Sequence, residues 1–183
     1  TRLRRATFRA DIALEVAVPY EAARGCWWGA VSHCTFCGLN GQSMAFRSKS
    51  PDRVVSDLIE LAARHGRLDV GFVDNILDLR YLRDAVPRVR DAGHDFNFFF
   101  ETKSNLKRDE VRLLREAGVD SMQPGIESLS TPILKLMGKG VTGFQNVRLL
   151  KWCAEYGVRP VWNIIYRFPG ESADEYERMA DVV

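Results

Sequence analysis

Three of the four cysteines of the chain lie close together, at Cys26, Cys34 and Cys37. Two cysteines separated by two residues, with a third upstream, form an arrangement that can gather thiolates around a metal. An iron–sulfur cluster normally takes four protein ligands, so three thiolates would leave one iron free to bind another molecule. Nearby glycines would allow the positive φ angles that wrap a loop around a cluster, at positions 25, 29, 38 and 41. The spacing therefore predicts an iron–sulfur centre with an open position.

Two other interpretations of these cysteines remain open. Free cysteine packs as a small apolar residue, although three in one glycine-rich segment is an unusual way to fill a core. A structural zinc site with His33 as fourth ligand is the second alternative. Structural zinc usually takes two ligand pairs, and His33 is adjacent to Cys34, a poor spacing for both to reach one metal. The alternative functions are therefore an iron–sulfur electron-transfer protein or a structural zinc-binding module, neither of which would be a catalyst.

Composition and charge limit the classes of partner. The chain has 183 residues, enough for one domain with a sizeable core, and its net charge of +2 argues against nucleic acid or an acidic membrane as main partner. The clustered cysteines and a separate Cys153 argue against a disulfide framework and favour a reducing, cytoplasmic setting. The sequence shows no signal peptide or membrane-spanning run. Because the chain starts at Thr1, we expect a fragment or a processed form.

Apolar runs alternate with amphipathic helical patterns along most of the chain. The basic segment 1–11 is expected to be a linker from an upstream domain, and a first strand is predicted within residues 12–22. Later strands are predicted at residues 70–73, 96–100, 121–124 and 160–165. Such short apolar runs are expected where both faces of a parallel sheet are covered.

Helix boundaries are marked by capping residues. Ser50 before Pro51 predicts a helix start, as do the capping boxes of Thr142 with Gln145 and of Ser172 with Glu175. Four helices are predicted to end at a glycine that can adopt the left-handed conformation, at positions 66, 93, 118 and 157. The repeated order of helix, glycine, strand and loop is typical of a parallel α/β sheet or barrel. A complete barrel needs about 250 residues, so we predict an α/β fold, a partial parallel (β/α) barrel over residues 12–183, truncated after about five β/α units.

Polar residues follow the predicted strands at their carboxyl ends, where parallel α/β folds bind ligands. Asp74 and Asn75 follow the second strand, and Glu101 and Lys103 follow the third. The fourth strand leads into Gln123, Gly125, Glu127 and Ser128, and the fifth into residues 162–171. Some of these residues, such as Ser128, could simply cap helices. Glu101 and Lys103 stand directly after an apolar run and favour a ligand site at this rim.

The cysteine loop and these strand ends resemble the radical S-adenosylmethionine (radical SAM) enzymes. The family's usual loop is Cys-x3-Cys-x2-Cys with an aromatic residue before the last cysteine, matched here by Phe36. This chain has Cys-x7-Cys-x2-Cys, which resembles a subfamily that matures ribosomally made peptides and often binds cobalamin through a separate N-terminal domain. The similarity covers the chain from about Val18 onward and rests on Arg24-Gly-Cys-Trp-Trp-Gly, Cys37-Gly-Leu-Asn-Gly, Asp74-Asn-Ile-Leu, Gly125-Ile-Glu-Ser and Phe168-Pro-Gly-Glu.

The resemblance implies a cofactor constellation at the rim. Cys26, Cys34 and Cys37 would ligate three irons of a [4Fe-4S] cluster, and the amino and carboxylate groups of S-adenosylmethionine would chelate the fourth. Residues implied to contact S-adenosylmethionine are Phe36 and Gly38 in the loop, and Asp74, Asn75, Glu101, Lys103, Gln123, Gly125, Glu127, Ser128, Ile165 and Tyr166 at the strand ends. Asp74 and Asn75 replace a more usual Gly-Gly-Glu, and Arg167 stands where relatives usually have glycine.

The resemblance also implies an activity and partners. S-adenosylmethionine would be cleaved reductively to methionine and a 5′-deoxyadenosyl radical that modifies a ribosomally made peptide or a natural-product precursor. Methylation with cobalamin belongs to the same range of reactions, and a cobalamin site would lie mainly outside this chain. The electron donor would be a protein such as flavodoxin or ferredoxin, and the substrate a peptide or small molecule.

Other residues that could do chemistry have simpler explanations. Trp27 and Trp28 are expected to anchor the cysteine loop rather than stack on a cofactor. His65 and His94 lie at helix–strand junctions and are expected at the surface of the opposite rim. Cys153 lies on a helix among apolar residues and is expected to pack in the core.

Overall fold

A computed structural model describes residues 17–39 and 43–182 and contains one parallel sheet with five strands. The strands lie side by side in the order β1 (Val18–Tyr20), β4 (Asp69–Phe72), β5 (Asn97–Lys103), β6 (Val119–Gly125) and β7 (Arg159–Pro160). Each neighbouring pair in this sheet is parallel. The predicted parallel α/β fold is therefore confirmed. Residues 1–11, and residues 12–16 of the predicted first strand, lie outside the described residues.

Two very short strands that the sequence did not predict close the base of the cysteine loop. β2 (Ala23–Arg24) and β3 (Arg47–Ser48) pair antiparallel, with Arg24 opposite Arg47. They stand before and after the cysteines and form a separate two-stranded sheet, so the two ends of the loop meet there. Two-residue strands carry no recognisable pattern of alternation, which is why sequence reasoning missed them.

Helices follow each strand of the sheet. They are α1 (Pro51–His65), α2 (Ala85–Asp91) after a 3-10 turn (Tyr81–Arg83), α3 (Arg108–Glu116), α4 (Thr131–Leu136), α5 (Gly143–Tyr156) and α6 (Asp174–Ala180). α4 was not predicted, because its six residues are too few for a helical period to be visible. Ser130 begins it, with Oγ accepting the N–H of Ile133 at 3.3 Å. In the described part of the chain no helix is long and apolar enough to cross a bilayer.

The predicted helix-ending glycines all have positive φ angles. Gly66 and Gly157 cap α1 and α5 in the left-handed conformation, at φ 58° and 68°. Gly118 is required for a second reason, since a Cβ there would lie 2.1 Å from the carbonyl oxygen of Phe96. In the cysteine loop Gly25 has φ 85°, but Gly29 and Gly38 do not have positive φ, so that part of the prediction was wrong; Gly41 lies outside the described residues.

The helix starts were predicted with mixed success. Ser50 caps α1 and Thr142 caps α5 through a capping box with Gln145, as expected. The box of Ser172 with Glu175 was wrong. Glu175 is buried and its Oε2 accepts a hydrogen bond from Ser130 Oγ at 2.5 Å, so its carboxylate ties α6 to the start of α4 instead.

Side chains on the sheet alternate between two faces. Phe72, Phe98 and Phe100 point to the face covered by the helices and pack edge to face or tilted within 4.0–6.0 Å of one another. That core also contains Cys153, which is fully buried as predicted. On the opposite face Glu101 stands beside Gln123 in register. The polar face of the sheet therefore faces away from the helices.

The fifth strand was predicted too long. β7 is only Arg159–Pro160 and pairs with Ser121 and Met122 of β6. Beyond it, the N–H of Val161 still donates to the carbonyl of Met122 at 2.8 Å, and Ile164 forms an isolated bridge to Glu127. Among the described residues β7 pairs with β6 on one side only. The apolar residues after Pro160 therefore have, in the part of the chain that the structure describes, no second neighbouring strand that would prolong β7.

Candidate functional site

The cysteine loop is fixed at its base by backbone contacts that exclude a side chain. A Cβ on Gly25 would lie 2.2 Å from the carbonyl oxygen of Ala45, so only glycine fits there. Next to it, the N–H of Cys26 donates to the carbonyl of Met44 at 3.4 Å. The segments that enter and leave the loop are therefore in contact at Gly25 and Cys26.

The two tryptophans anchor the loop to opposite parts of the rim, as the sequence predicted. Trp27 Nε1 donates to the carbonyl of Leu77 at 3.0 Å, just after β4. Trp28 Nε1 donates to the carbonyl of Gly138 at 3.1 Å, after α4. Both indoles are half-buried and both polar groups are satisfied, which is the usual state of tryptophan away from water.

The second half of the loop rests on residues 136–140, which we call the α4–α5 seat. Thr35 donates its N–H to Met137 O at 3.0 Å and its hydroxyl to Leu136 O at 3.1 Å. The Cys34 thiol lies 3.9 Å from the carbonyl of Gly138. Roughly one hundred residues of chain separate the loop from the seat, so no local pattern could have shown that they meet.

All three cysteines line one cavity at the carboxyl ends of the strands. The space measures about 760 Å³, part of it open to solvent. Seven of the other residues predicted as cofactor contacts line the same cavity: Phe36, Asn75, Glu101, Lys103, Gln123, Gly125 and Glu127. The structure thus brings together residues that lie as far apart in sequence as Cys26 and Glu127.

Two buried lysines give the cavity wall positive charge. Lys103, at the end of β5, donates to the carbonyl of Lys139 and has its ammonium 3.9 Å from the centre of the Trp28 ring. Burial, with the neighbouring Lys139 charge, lowers the pKa of Lys103 to about 8. Lys139 Nζ donates to Glu127 Oε1 at 3.3 Å. Burial raises the pKa of the Cys34 thiol, and the charges of Lys139 and Lys103 act against that rise.

The backbone at Gly125 and Glu127, at and just after the end of β6, accommodates the contact between Lys139 and Glu127. A Cβ on Gly125 would lie 2.7 Å from Lys139 Nζ, so the glycine leaves space for the ammonium. Glu127 has a positive φ of 57°, which is uncommon for a residue with a side chain. Fully buried Asn146 holds this turn from α5, with Nδ2 donating to the carbonyls of Ile126 at 2.9 Å and Ser128 at 2.7 Å.

Glu101 projects from the polar face of the sheet into the cavity. Its carboxylate has no ion pair or hydrogen bond among the described residues, and burial raises its pKa. A half-buried acid without a partner can accept hydrogen bonds from a ligand. Its register neighbour Gln123 also lines the cavity and offers both a donor and an acceptor.

Asp74 does not line the cavity, contrary to the prediction. It is only 1% exposed, and its Oδ1 accepts the N–H of Ala22 at 2.8 Å. Its carboxylate therefore holds the chain just before the cysteine loop. Asn75, the next residue, is the one that faces the cavity.

Four further predicted contacts do not line the cavity either. Ser128 is fully buried and its hydroxyl lies 3.3 Å from the sulfur of Met179, so it belongs to the packing beneath the rim. Ile165 packs in the cluster that contains Ile133 and Met137. Gly38 is exposed, and Tyr166 is 70% exposed.

Sequence reasoning missed several residues that line the cavity. Among them are Lys139, Leu39, Ile76 and Thr102, together with Trp28, which was expected only to anchor the loop. Lys139 could have been suspected from its place between Gly138 and Gly140, both of which have positive φ. The signal is weak, because glycines that flank a lysine are common in turns.

The positions of the three thiols and of His33 bear on the zinc alternative. Although all three line one cavity, no three His, Cys, Asp or Glu side chains in residues 17–39 and 43–182 are close enough to share one ion. His33 does not point to a fourth ligand position, since its Nε2 lies 3.0 Å from the carbonyl of Cys37. Three thiols around one cavity can supply three ligands of a multi-iron cluster, and the His33 ring is engaged elsewhere.

A parallel sheet with three thiols and buried charged groups at its carboxyl rim defines an α/β protein with a candidate cofactor site at the strand ends. Comparison with protein families agrees: the model of the Radical SAM superfamily matches residues 20–183. The chain therefore belongs to the radical SAM superfamily, as the sequence predicted. Since this is a family of enzymes, the expectation of an enzyme is confirmed at that level.

Two curated relatives carry methyltransferase names. An uncharacterized methyltransferase, PH0819 of Pyrococcus horikoshii, is 29% identical over 85% of this chain and 34% of its own length. The bacteriochlorophyllide d C-12(1)-methyltransferase of Chlorobaculum tepidum is 29% identical over 70% of this chain and 28% of its own length. The chain thus spans about a third of the curated relatives that it matches.

Solved structures share the fold. The cobalamin-dependent radical SAM enzyme OxsB, solved with aqua-cobalamin bound, superposes over 90% of this chain and 26% of its own with a TM-score of 0.75 and 21% identity. The radical SAM methyltransferase TsrM of Kitasatospora setae, solved with cobalamin and a [4Fe-4S] cluster, superposes over 90% of this chain and 34% of its own with a TM-score of 0.73 and 22% identity. At these identities the likeness concerns the fold, and it confirms the partial radical SAM core.

Proposed function

We propose that this chain is the part of a radical SAM methyltransferase that holds a [4Fe-4S] cluster on Cys26, Cys34 and Cys37 and binds S-adenosylmethionine beside it. The observation that carries the proposal is the cavity itself. It joins three thiols of one loop to an unpaired carboxylate, a buried lysine pair and the aromatic Phe36. No other feature of the described residues gathers groups of this kind.

The cavity walls complement the charges of S-adenosylmethionine. That molecule carries an ammonium, a sulfonium and a carboxylate, and the wall offers Glu101 and Glu127 as acceptors with Lys103 and Lys139 as donors. The rings of Phe36 and Phe168 pack edge to face, with their centroids 6.4 Å apart. Phe36 therefore offers the adenine an aromatic wall. When bound, the cluster supplies the electron that cleaves the sulfonium reductively.

The protein's own contribution is orientation and exclusion of water. Trp28, Ile76 and Leu39 give the cavity apolar wall beside the thiols. A reactive species formed here would attack solvent or small solutes unless the space were closed around it. The two tryptophans that anchor the loop are the structural basis for that closure.

Methyl transfer is the reaction that the relatives favour. Both curated relatives are named methyltransferases, and OxsB and TsrM are described with cobalamin. We infer that the whole protein uses cobalamin, held mainly by residues outside this chain. The acceptor would be a ribosomally made peptide or another natural-product precursor, as the loop spacing indicates, and a flavodoxin- or ferredoxin-type protein would donate electrons. The free cysteines favour a reducing, cytoplasmic setting.

Anaerobic reconstitution with iron and sulfide tests the cluster. We expect a brown protein with about four irons per chain. Cys26→Ala, Cys34→Ala and Cys37→Ala should each lower the iron content sharply. Cys153→Ala is the matched control, because Cys153 is buried in the core away from the cavity, and it should keep the iron. Stoichiometric zinc without visible absorption would contradict the proposal.

A further inference from the structure

Trp28 is held on three sides by residues from two other elements. Its Nε1 donates to Gly138 O at 3.1 Å, and the Lys103 ammonium lies 3.9 Å from its ring centre. On the third side, the ring approaches Gly140 so closely that a Cβ there would lie 2.1 Å from Cζ2. An anchoring indole needs only one hydrogen bond and some burial. We call the three contacts of Trp28, with Gly138, Lys103 and Gly140, the clamp.

The clamp is connected to the thiols of Cys26 and Cys34, which lie before and after Trp28 in the chain. Cys26 lies two residues earlier in the chain, and its sulfur accepts the N–H of Gly29, the residue after Trp28, at 3.3 Å. The carbonyl of Gly138 that receives the indole N–H is also the group 3.9 Å from the Cys34 sulfur. A shift of the indole would therefore disturb the surroundings of both cysteines.

The clamp also fixes Lys103. Its ammonium is buried and has two stabilising contacts among the described residues, the carbonyl of Lys139 and the face of the Trp28 ring. A desolvated ammonium over the face of an indole is stabilised by the ring. Without the ring, we expect the Lys103 side chain to leave the cavity wall for water.

We propose that Trp28 is a positioning residue of the cluster site, which places Cys26 and Cys34 before any metal is bound and holds Lys103 at the cavity wall. The inference rests on the proposed function, because it assigns a role to a residue of that same site. It goes further in stating that the loop adopts its binding shape before metal binds and that Gly140 leaves the space that the indole occupies.

Gly140→Ala tests the clamp without touching a cysteine or the indole. Gly157→Ala is the matched control: its φ of 68° is close to the 62° of Gly140, but a Cβ there meets no atom within 4 Å. Both substitutions carry the same left-handed strain, so a difference between them reports the Trp28 contact. Alkylation of Cys26 and Cys34 in the metal-free full chain, followed by peptide mass spectrometry, measures the loop directly.

We expect Gly140→Ala to raise the alkylation rates of Cys26 and Cys34 several-fold and to lower the iron taken up on reconstitution. Gly157→Ala should match the wild type in both. In a Trp28→Ala background, adding Gly140→Ala should change the rates no further, because the clashing ring is gone. Unchanged rates in Gly140→Ala, or equal changes in Gly157→Ala, would overturn the proposal.

Substitutions of Trp28 itself keep the test decisive where Gly140→Ala does not fold. Trp28→Phe keeps a ring beneath Lys103 and should leave the alkylation rates nearer the wild type than Trp28→Ala does. Equal rates in both variants and the wild type would overturn the inference. A wild-type protein that takes up no iron would instead overturn the proposed function, while the metal-free alkylation rates would still report on the clamp.

Discussion

Asp74 places a buried carboxylate beside the base of the cysteine loop. Oδ1 accepts the N–H of Ala22, whereas Oδ2 has no hydrogen-bond partner among the described residues. Burial raises the pKa of Asp74 to about 6, although the backbone N–H groups of Ala23 and Ala22 act to lower it. The native state therefore binds this proton more tightly than the unfolded chain does, where an aspartate has a pKa of about 3.9.

This shift predicts a pH-dependent loss of stability that belongs to Asp74. As pH rises from about 4 to about 6, the wild type should lose stability because Asp74 ionises in the unfolded chain while the native state still holds its proton. Asp74→Asn keeps an acceptor for Ala22 and cannot ionise. Its free energy of unfolding should rise relative to the wild type across this window, by at most about 3 kcal/mol. Urea unfolding of both proteins at several pH values measures the difference; a constant difference would contradict the assignment.

Arg167 occupies a position where its backbone favours glycine. Its φ is 61°, and its N–H donates to the hydroxyl of Tyr176 at 3.1 Å, which in turn donates to Glu171 at 2.7 Å. That N–H bond belongs to the backbone and survives any substitution except proline. The strain of the left-handed conformation is thus the main cost of having a side chain here.

Arg167→Gly should therefore be more stable than Arg167→Ala, by about 0.5–1 kcal/mol. Alanine removes the guanidinium but keeps Cβ and its strain, so the comparison isolates the backbone term. Thermal unfolding of the two variants measures it. Should the alanine variant prove the more stable, the left-handed backbone at residue 167 would be wrong.

At the level of elements, the junction of α3 and β6 depends on a close approach of backbone. Gly118 ends the helix with φ 101°, and a Cβ would meet the carbonyl oxygen of Phe96 at 2.1 Å. Gly93 ends α2 with φ 69° and a Cβ there meets nothing within 4 Å. The two glycines look alike in sequence but carry different constraints.

Gly118→Ala should cost about 3 kcal/mol of unfolding free energy, because β5 or β6 must shift to relieve the contact. Gly93→Ala should cost only about 1 kcal/mol, the strain of the left-handed conformation. Urea unfolding of both variants compares them. Similar losses would show that Gly118 is a helix cap and no more.

These elements also show what the sequence could predict. The strands around Val70, Phe98 and Met122 were predicted because apolar runs and helix-ending glycines are local signals. The seat beneath Cys34, the lysine pair and the clamp on Trp28 were not, since each joins segments that are distant in sequence. Asp74 shows the same limit: its place at a strand end was right, but which neighbour its carboxylate contacts depends on how β1 and β4 pair.

At the level of the whole molecule, the parallel sheet brings one loop and three strand ends to a single rim. The cysteines come from the loop, Asn75 from the end of β4, Glu101 and Lys103 from β5, and Glu127 from the turn after β6. The chain belongs to the radical SAM superfamily yet spans about a third of its curated relatives, so the acceptor of the reaction remains a proposal. The proposed binding of S-adenosylmethionine beside the cluster, in contrast, involves cavity residues that this chain contains.

The electron paramagnetic resonance spectrum of the reduced, reconstituted protein tests that binding most directly. An iron with no protein ligand is open to S-adenosylmethionine, and coordination there changes the electronic environment of the whole cluster. We predict a clear shift of the cluster signal when S-adenosylmethionine is added. A cluster signal that stays identical at saturating S-adenosylmethionine would contradict an open iron and would favour an electron-transfer protein.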